Sequence, residues 1–131
     1  MDRAREVLRR TRVIVREGPF ALGSWPAGTA LLLRGFGFVV HDDLETTALV
    51  AESELTDWPP PERVERGWAV LTLDLEMEWD LVGVLAIVTE ALARANVSLG
   101  AYAAFRRDHV FVRCSQLSAA RAALKDIVAE S

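Results

Sequence analysis

The sequence predicts an α+β protein of ferredoxin-like βαββαβ order, with two interlocked units of antiparallel sheet and helices packed on one face. Three observations carry this expectation. Short β-branched and alternating apolar runs recur between turn signals in the first half, and a strand, helix, strand, strand, helix order fills the second. Three consecutive prolines, Pro59 to Pro61, lie between them. A chain of 131 residues with 51% hydrophobic content suffices for one compact core, or for two small half-domains that share one.

Taken in order, Asp2 to Arg10 places Ala4, Val7 and Leu8 on one side and Arg3, Arg5, Arg9 and Arg10 around the rest. That pattern predicts a short amphipathic helix, acting as a lid or edge cover. The β-branched run Arg12 to Arg16 predicts a strand, Gly18-Pro19 a turn, Phe20 to Trp25 a second strand, and Pro26-Ala27-Gly28 a break. Phe36 to His41 and Ala48 to Glu54 are two further strands, separated by the polar turn Asp42-Asp43-Leu44-Glu45. Asp57 to Glu62 predicts a linker, because prolines supply no amide donors and favour an extended path. It divides the chain into units 1–60 and 61–131.

Beyond the prolines, Trp68 to Leu75 alternates, with Ala69, Leu71, Leu73 and Leu75 on one face and Val70, Thr72 and Asp74 on the other, as in a half-buried strand. Leu81 to Ala95 keeps a 3.6-residue period through Leu81, Val84, Leu85, Val88, Leu92 and Ala95, with Asp80 as N-cap and Asn96 as left-handed C-terminal cap. Val97 to Ala104 and His109 to Cys114 form a hairpin across Phe105-Arg106-Arg107-Asp108. A last helix carries Leu117, Ala120, Leu124 and Val128, opened by Ser115 or Ser118. This second half lacks the final strand of its fold, and an open edge invites pairing. A strand from the first half, Arg12 to Arg16 or Phe20 to Trp25, is expected to fill it.

Composition excludes several functions. No apolar run reaches the roughly 18 residues of a membrane span, and the first sixteen positions alternate arginine with apolar residues where a secretory leader would be continuously apolar. A cytoplasmic protein with no membrane partner is expected. The single Cys114 excludes an intramolecular disulfide and a cysteine-clustered zinc site, and its apolar surroundings in sequence predict a buried thiol. The net charge of -4 hides a segregation, with six arginines against two acids in Met1 to Arg16 and twelve acids against two arginines in His41 to Asp80. Arg34-Gly35-Phe36-Gly37-Phe38-Val39-Val40-His41 nearly reproduces an RNA-binding signature. The aromatic strand and full helix that should precede it are missing, and the acidic stretch that follows repels phosphates, so no nucleic-acid partner is expected. His41 and His109 have no serine or cysteine at recognisable spacing. An enzyme is therefore not expected, nor any metal or cofactor.

Several stretches carry a family resemblance: Gly67-Trp68-Ala69-Val70-Leu71, Asp80-Leu81-Val82-Gly83-Val84-Leu85, the run Ala91 to Leu99, and Tyr102 to Asp108 ahead of His109-Val110-Phe111-Val112. Gly18 to Leu22 and Glu45 to Val50 agree more loosely. From Gly67 to Leu124 the chain resembles small bacterial ACT-domain proteins with two ACT-like units, a group related to the CASTOR-type arginine sensors of the animal mTOR pathway. The resemblance implies a regulatory module that binds a free amino acid or similar small metabolite and forms a homodimer. The family's turn before the third strand usually reads Ser-Thr-Tyr-Asp-Thr-Asp-Tyr. Here it is Ala103-Ala104-Phe105-Arg106-Arg107-Asp108-His109, which keeps Asp108 and replaces the hydroxyls.

A free amino acid presents a carboxylate and an ammonium group. The entrance to the Leu81 helix offers the amides of Leu81, Val82 and Gly83 at the positive end of a helix dipole, and Gly83 admits close approach. Asp80 and Asp108 suit the ammonium, and Arg106 or Arg107 the carboxylate, with Phe105 on the same turn. A plain structural account also fits: Asp80 caps a helix, Gly83 relieves packing, and Arg106 and Asp108 are solvated hairpin residues. On that account the chain is an interaction module that dimerises through a sheet edge or helix face, with Trp25, Trp58, Trp68 and Trp79 as anchors or core.

Overall fold

The computed structural model describes residues 1–129. Helix α1 (Asp2–Arg9) leads into strand β1 (Arg12–Pro26), followed by β2 (Gly37–His41), β3 (Glu45–Ala51), the short helix α2 (Glu52–Leu55) and β4 (Arg63–Asp74). Helix α3 (Val84–Arg94), β5 (Leu99–Ala103), β6 (Asp108–Arg113) and α4 (Leu117–Leu124) complete the order, with a 3₁₀ turn at Cys114–Gln116. The strands run β2-β3-β1-β4-β6-β5. Two compact units emerge, Glu17–Trp68 and a discontinuous one made of Met1–Arg16 with Ala69 onward, and β1 and β4 each give one end to each unit.

In the discontinuous unit the strand order is β1-β4-β6-β5, so the Arg12 to Arg16 end of β1 supplies the strand missing from the second half. Leu71 and Leu73 of β4, Val110 and Val112 of β6, and Val88 and Leu92 of α3 are fully or almost fully buried in one cluster. Burying each leucine contributes roughly 1.5–3 kcal/mol. Helix α1 belongs to this core and is not a lid, because Ala4 and Leu8 are wholly buried within it. Strand β4 is covered on both faces from Trp68 to Leu73, not half-buried. Within that stretch its second face is polar only at Thr72, whose hydroxyl is bonded by Arg16 Nε at 3.0 Å and lies 2.8 Å from His109 Nδ1.

Helix α3 ends as its sequence predicts. Asn96 has φ 59°, its N–H donates to Ala93 O, and the Val97 N–H donates to Leu92 O, the paired bonds of a Schellman termination. Asn96→Val should therefore lose about 1–2 kcal/mol, the cost of a left-handed β-branched residue, while Asn96→Gly stays near neutral in urea unfolding. The start of α3 differs from expectation. It begins at Val84 with Gly83 as N-cap, so Asp80 caps nothing. Helix α4 likewise starts after Gln116 without a side-chain cap, so neither Ser115 nor Ser118 opens it. Cys114 is exposed, because β6 stops at Arg113 and the chain turns away at that residue.

In Glu17–Trp68 the order is β2-β3-β1-β4. Gly18-Pro19 does not turn the chain; β1 continues through it and pairs with β3 from Phe20↔Ala51 to Pro26↔Glu45. Ala21, Trp25, Ala48, Val50 and Leu55 form the core, with Leu31 and Leu33 packed on it from the irregular stretch 27–36 where a ferredoxin-like unit has its first helix. The expected proline linker is fastened down. Trp25 Nε1 donates to Pro59 O at 2.7 Å, and Trp58 meets the Trp25 ring edge-on. The RNA-like segment is also engaged internally. The Arg34 and Gly35 amides donate to the buried Glu54 carboxylate, Arg34 pairs with Asp57, and Phe36 packs edge-on against Phe20.

Candidate ligand cavity at the start of α3

Two loops of the discontinuous unit frame a cavity of about 430 Å³. The first joins β4 to α3. A turn closed by the Leu81 N–H on Glu78 O brings the chain to Gly83, whose φ of 104° starts the helix abruptly. A Cβ at Gly83 would sit 2.5 Å from the Met1 sulfur, so Met1 packs directly on this backbone. The second loop is the β5–β6 hairpin, in which Ala103 pairs with Asp108 and the Ala104 N–H donates to Arg107 O at 3.0 Å. No side chain caps α3, so its first amides, Val84, Leu85 and Ala86, keep their donor capacity beside the cavity.

The charges around the cavity are partly committed. Glu78 pairs with Arg3 at 2.9 Å, and Arg107 Nη1 donates to Asp74 Oδ1 at 2.9 Å. Arg106 and Asp108 have no ion-pair partner among the described residues. Burial pushes the Asp108 carboxyl above its ordinary value. Its neighbour His109 is buried against Thr72 and stacked on Tyr102 at 4.6 Å. Desolvation first, then the Arg107 and Arg16 charges, lower its pKa from 6.5 to about 4. Since Thr72 already accepts from Arg16, its own proton is available to Nδ1, and a neutral imidazole satisfies the arrangement. No cluster of three or more metal-ligating side chains occurs among the described residues, and no described helix is long and apolar enough to cross a membrane.

Residues 63–126 match the family model of the ACT domain. A protein from Agrobacterium tumefaciens shares 20% identity at a TM-score of 0.77, over 93% of this chain and 91% of its own. A Vibrio cholerae protein of unknown function, described as a possible transport protein, shares 17% at 0.74, over 96% of each chain. The ligand-free regulatory subunit of aspartate kinase from Thermus thermophilus shares 12% at 0.63, over 92% of this chain and 98% of its own. The fold is that of an ACT domain. No curated protein matches the chain.

Around this cavity the structure gathers most of the residues singled out from sequence. Leu81, Val82, Gly83, Phe105, Arg106 and Asp108 all line it, as does Arg107. Asp80 does not; it is exposed on the turn before the helix. The available amides also lie later than expected, because Leu81 has spent its N–H on Glu78 and the helix opens after Gly83. Sequence reasoning missed Met1, Met77 and Trp79 as lining residues. Trp79 was legible only as one of four tryptophans. The signal that separates it is its setting, an aromatic ring among Glu76, Glu78 and Asp80 with no apolar period around it.

Proposed function

We propose that this protein is a cytoplasmic, non-catalytic regulatory module with two ACT-like units, their boundary lying at Arg16/Glu17 and Trp68/Ala69 in place of the 60/61 division expected from the prolines, of the group related to CASTOR-type sensors, and that it binds a free amino acid at the Gly83 entrance. The observation that carries the reading is the pair of uncommitted opposite charges, Arg106 and Asp108, beside the uncapped amides of α3 at one cavity. A zwitterion satisfies both ends there, with its carboxylate on helix amides and guanidinium and its ammonium on Asp108. The likeness in fold to a regulatory subunit of aspartate kinase supports the regulatory part of this reading.

Calorimetric titration with the free amino acids tests it. At least one should bind, and Gly83→Leu should weaken that binding at least about tenfold, because the new side chain must occupy the cavity at a backbone angle that disfavours it. Silence across all of them would defeat the proposal. Affinity should also fall as pH drops through the raised Asp108 pKa, since only the ionised carboxylate attracts the ammonium. Titrations in two buffers of different ionisation enthalpy should then show proton release on binding. The expected macromolecular partner is a second copy of the chain. Edge strand β2 leaves backbone groups unpaired and carries exposed Val40, with Leu44 exposed in the adjoining turn. Light scattering with and without amino acids separates a ligand-gated dimer from a module that dimerises without any ligand.

A further inference from the structure

Resting on that amino-acid reading, we infer that the ligand carries a large apolar side chain, aromatic by preference, held by Trp79 and Phe105. Four of the eight exposed large hydrophobics among the described residues, Met1, Trp79, Val82 and Phe105, border this single cavity. Trp79 is 64% exposed and Phe105 78%, yet the two rings meet edge-on at 6.1 Å. Exposed aromatic rings gathered at a concave site gain from a guest that removes them from water, and a third ring extends the edge-to-face arrangement.

The polar inventory points the same way. Glu78 is held by Arg3, and Arg107 by Asp74. Arg106, Asp108 and the first amides of α3 then suffice for the ammonium and carboxylate common to every amino acid, and Ala103 and Ala104 add methyl groups to the lining. Beyond these groups the lining is mainly apolar, with Met1, Met77, Trp79, Val82 and Phe105. A seryl or aspartyl ligand would gain nothing from covering Trp79, Phe105 and Met77, whose apolar surface would stay in water. A lysyl or arginyl ligand could lie on the rings, but Arg106 and Arg107 line the same cavity and their charges oppose it.

Calorimetry on the full chain with phenylalanine, leucine, alanine, serine and lysine tests the inference. Phenylalanine should bind at least about tenfold more tightly than alanine, with leucine between them. In Trp79→Ala, and separately in Phe105→Ala, that ratio should fall to about threefold or less; both residues are exposed, so the core survives either change. Serine or lysine binding as tightly as phenylalanine would overturn the inference and leave the amino-acid reading standing. A preference for phenylalanine that survives both substitutions would overturn the assignment to these rings. Silence across the panel would overturn the underlying reading and this one with it.

Discussion

Lowering the pH from 7 to 4 should cost the protein about 3 kcal/mol through His109 alone. The folded pKa of about 4 lies below the ordinary 6.5, so the unfolded chain takes up the proton first. The contribution is complete above pH 6.5, falls as the pH drops toward 4, and falls no further once both states are protonated. The charges that oppose a cation at the imidazole are those of Arg107 and Arg16, and Thr72 and the stacked Tyr102 ring lie against it. Asp108 acts in the opposite sense. Its raised pKa lets the folded state accept a proton more readily than the unfolded chain, which offsets part of the loss. Urea unfolding at the two pH values measures the difference, and His109→Gln should flatten it. A wild-type curve that stays level would show that the imidazole can be charged where it lies. Tyr102, whose pKa burial raises, withdraws stability only at the alkaline end, as the pH rises through 10.

Gly37→Ala should lower stability by about 2–4 kcal/mol, a large effect for one methyl group. The added Cβ would lie 2.1 Å from the Leu49 carbonyl oxygen and 3.1 Å from Leu33 Cδ2. Leu49 is fully buried on β3 and paired with Phe38, so its carbonyl can retreat only by breaking the β2–β3 ladder. Gly35, two residues earlier, is the internal control. Its Cβ would come no closer than 3.6 Å to a Glu54 oxygen, and Gly35→Ala should stay within about 0.5 kcal/mol. Thermal melts of the two variants would show whether the glycines of the RNA-like segment serve the sheet. Equal and negligible shifts would mean that Gly37 is there for some other reason.

These residues also show what a sequence discloses. The period of α3 is plain because its apolar face is continuous, and its C-terminus is plain because Asn96 is among the few residues that adopt a left-handed angle cheaply. Its start is hidden, since Leu81 and Val82 continue the apolar character through a turn that only the conformation of Gly83 ends. Gly18-Pro19 looks locally like a break, but pairing with β3 immediately afterwards carries the strand through. Local turn chemistry loses to ladder formation there. The cavity was legible at Gly83 and Asp108 because charge and backbone freedom are written in single letters. Met1 was not, because nothing in an initial methionine says what it will pack on, and for Trp79 the only signal is its acidic setting, which tells of exposure but not of the cavity that the two loops close around it.

The sharing of β1 and β4 bears on the order in which the chain folds. Glu17–Trp68 is one uninterrupted stretch, whereas its companion must join Met1–Arg16 to Ala69 and beyond across the whole of that stretch. Closing so long a flexible loop costs entropy that grows with its logarithm, about 3–4 kcal/mol here. Once Glu17–Trp68 has paired its own ends through β1 and β4, the loop is already closed, and Arg12 to Arg16 needs only to continue a strand that exists. On this argument the contiguous half is expected to form first and to template the half that carries the cavity. Gly37→Ala, which strikes the contiguous half, should accordingly slow refolding of the entire chain as well as weaken it.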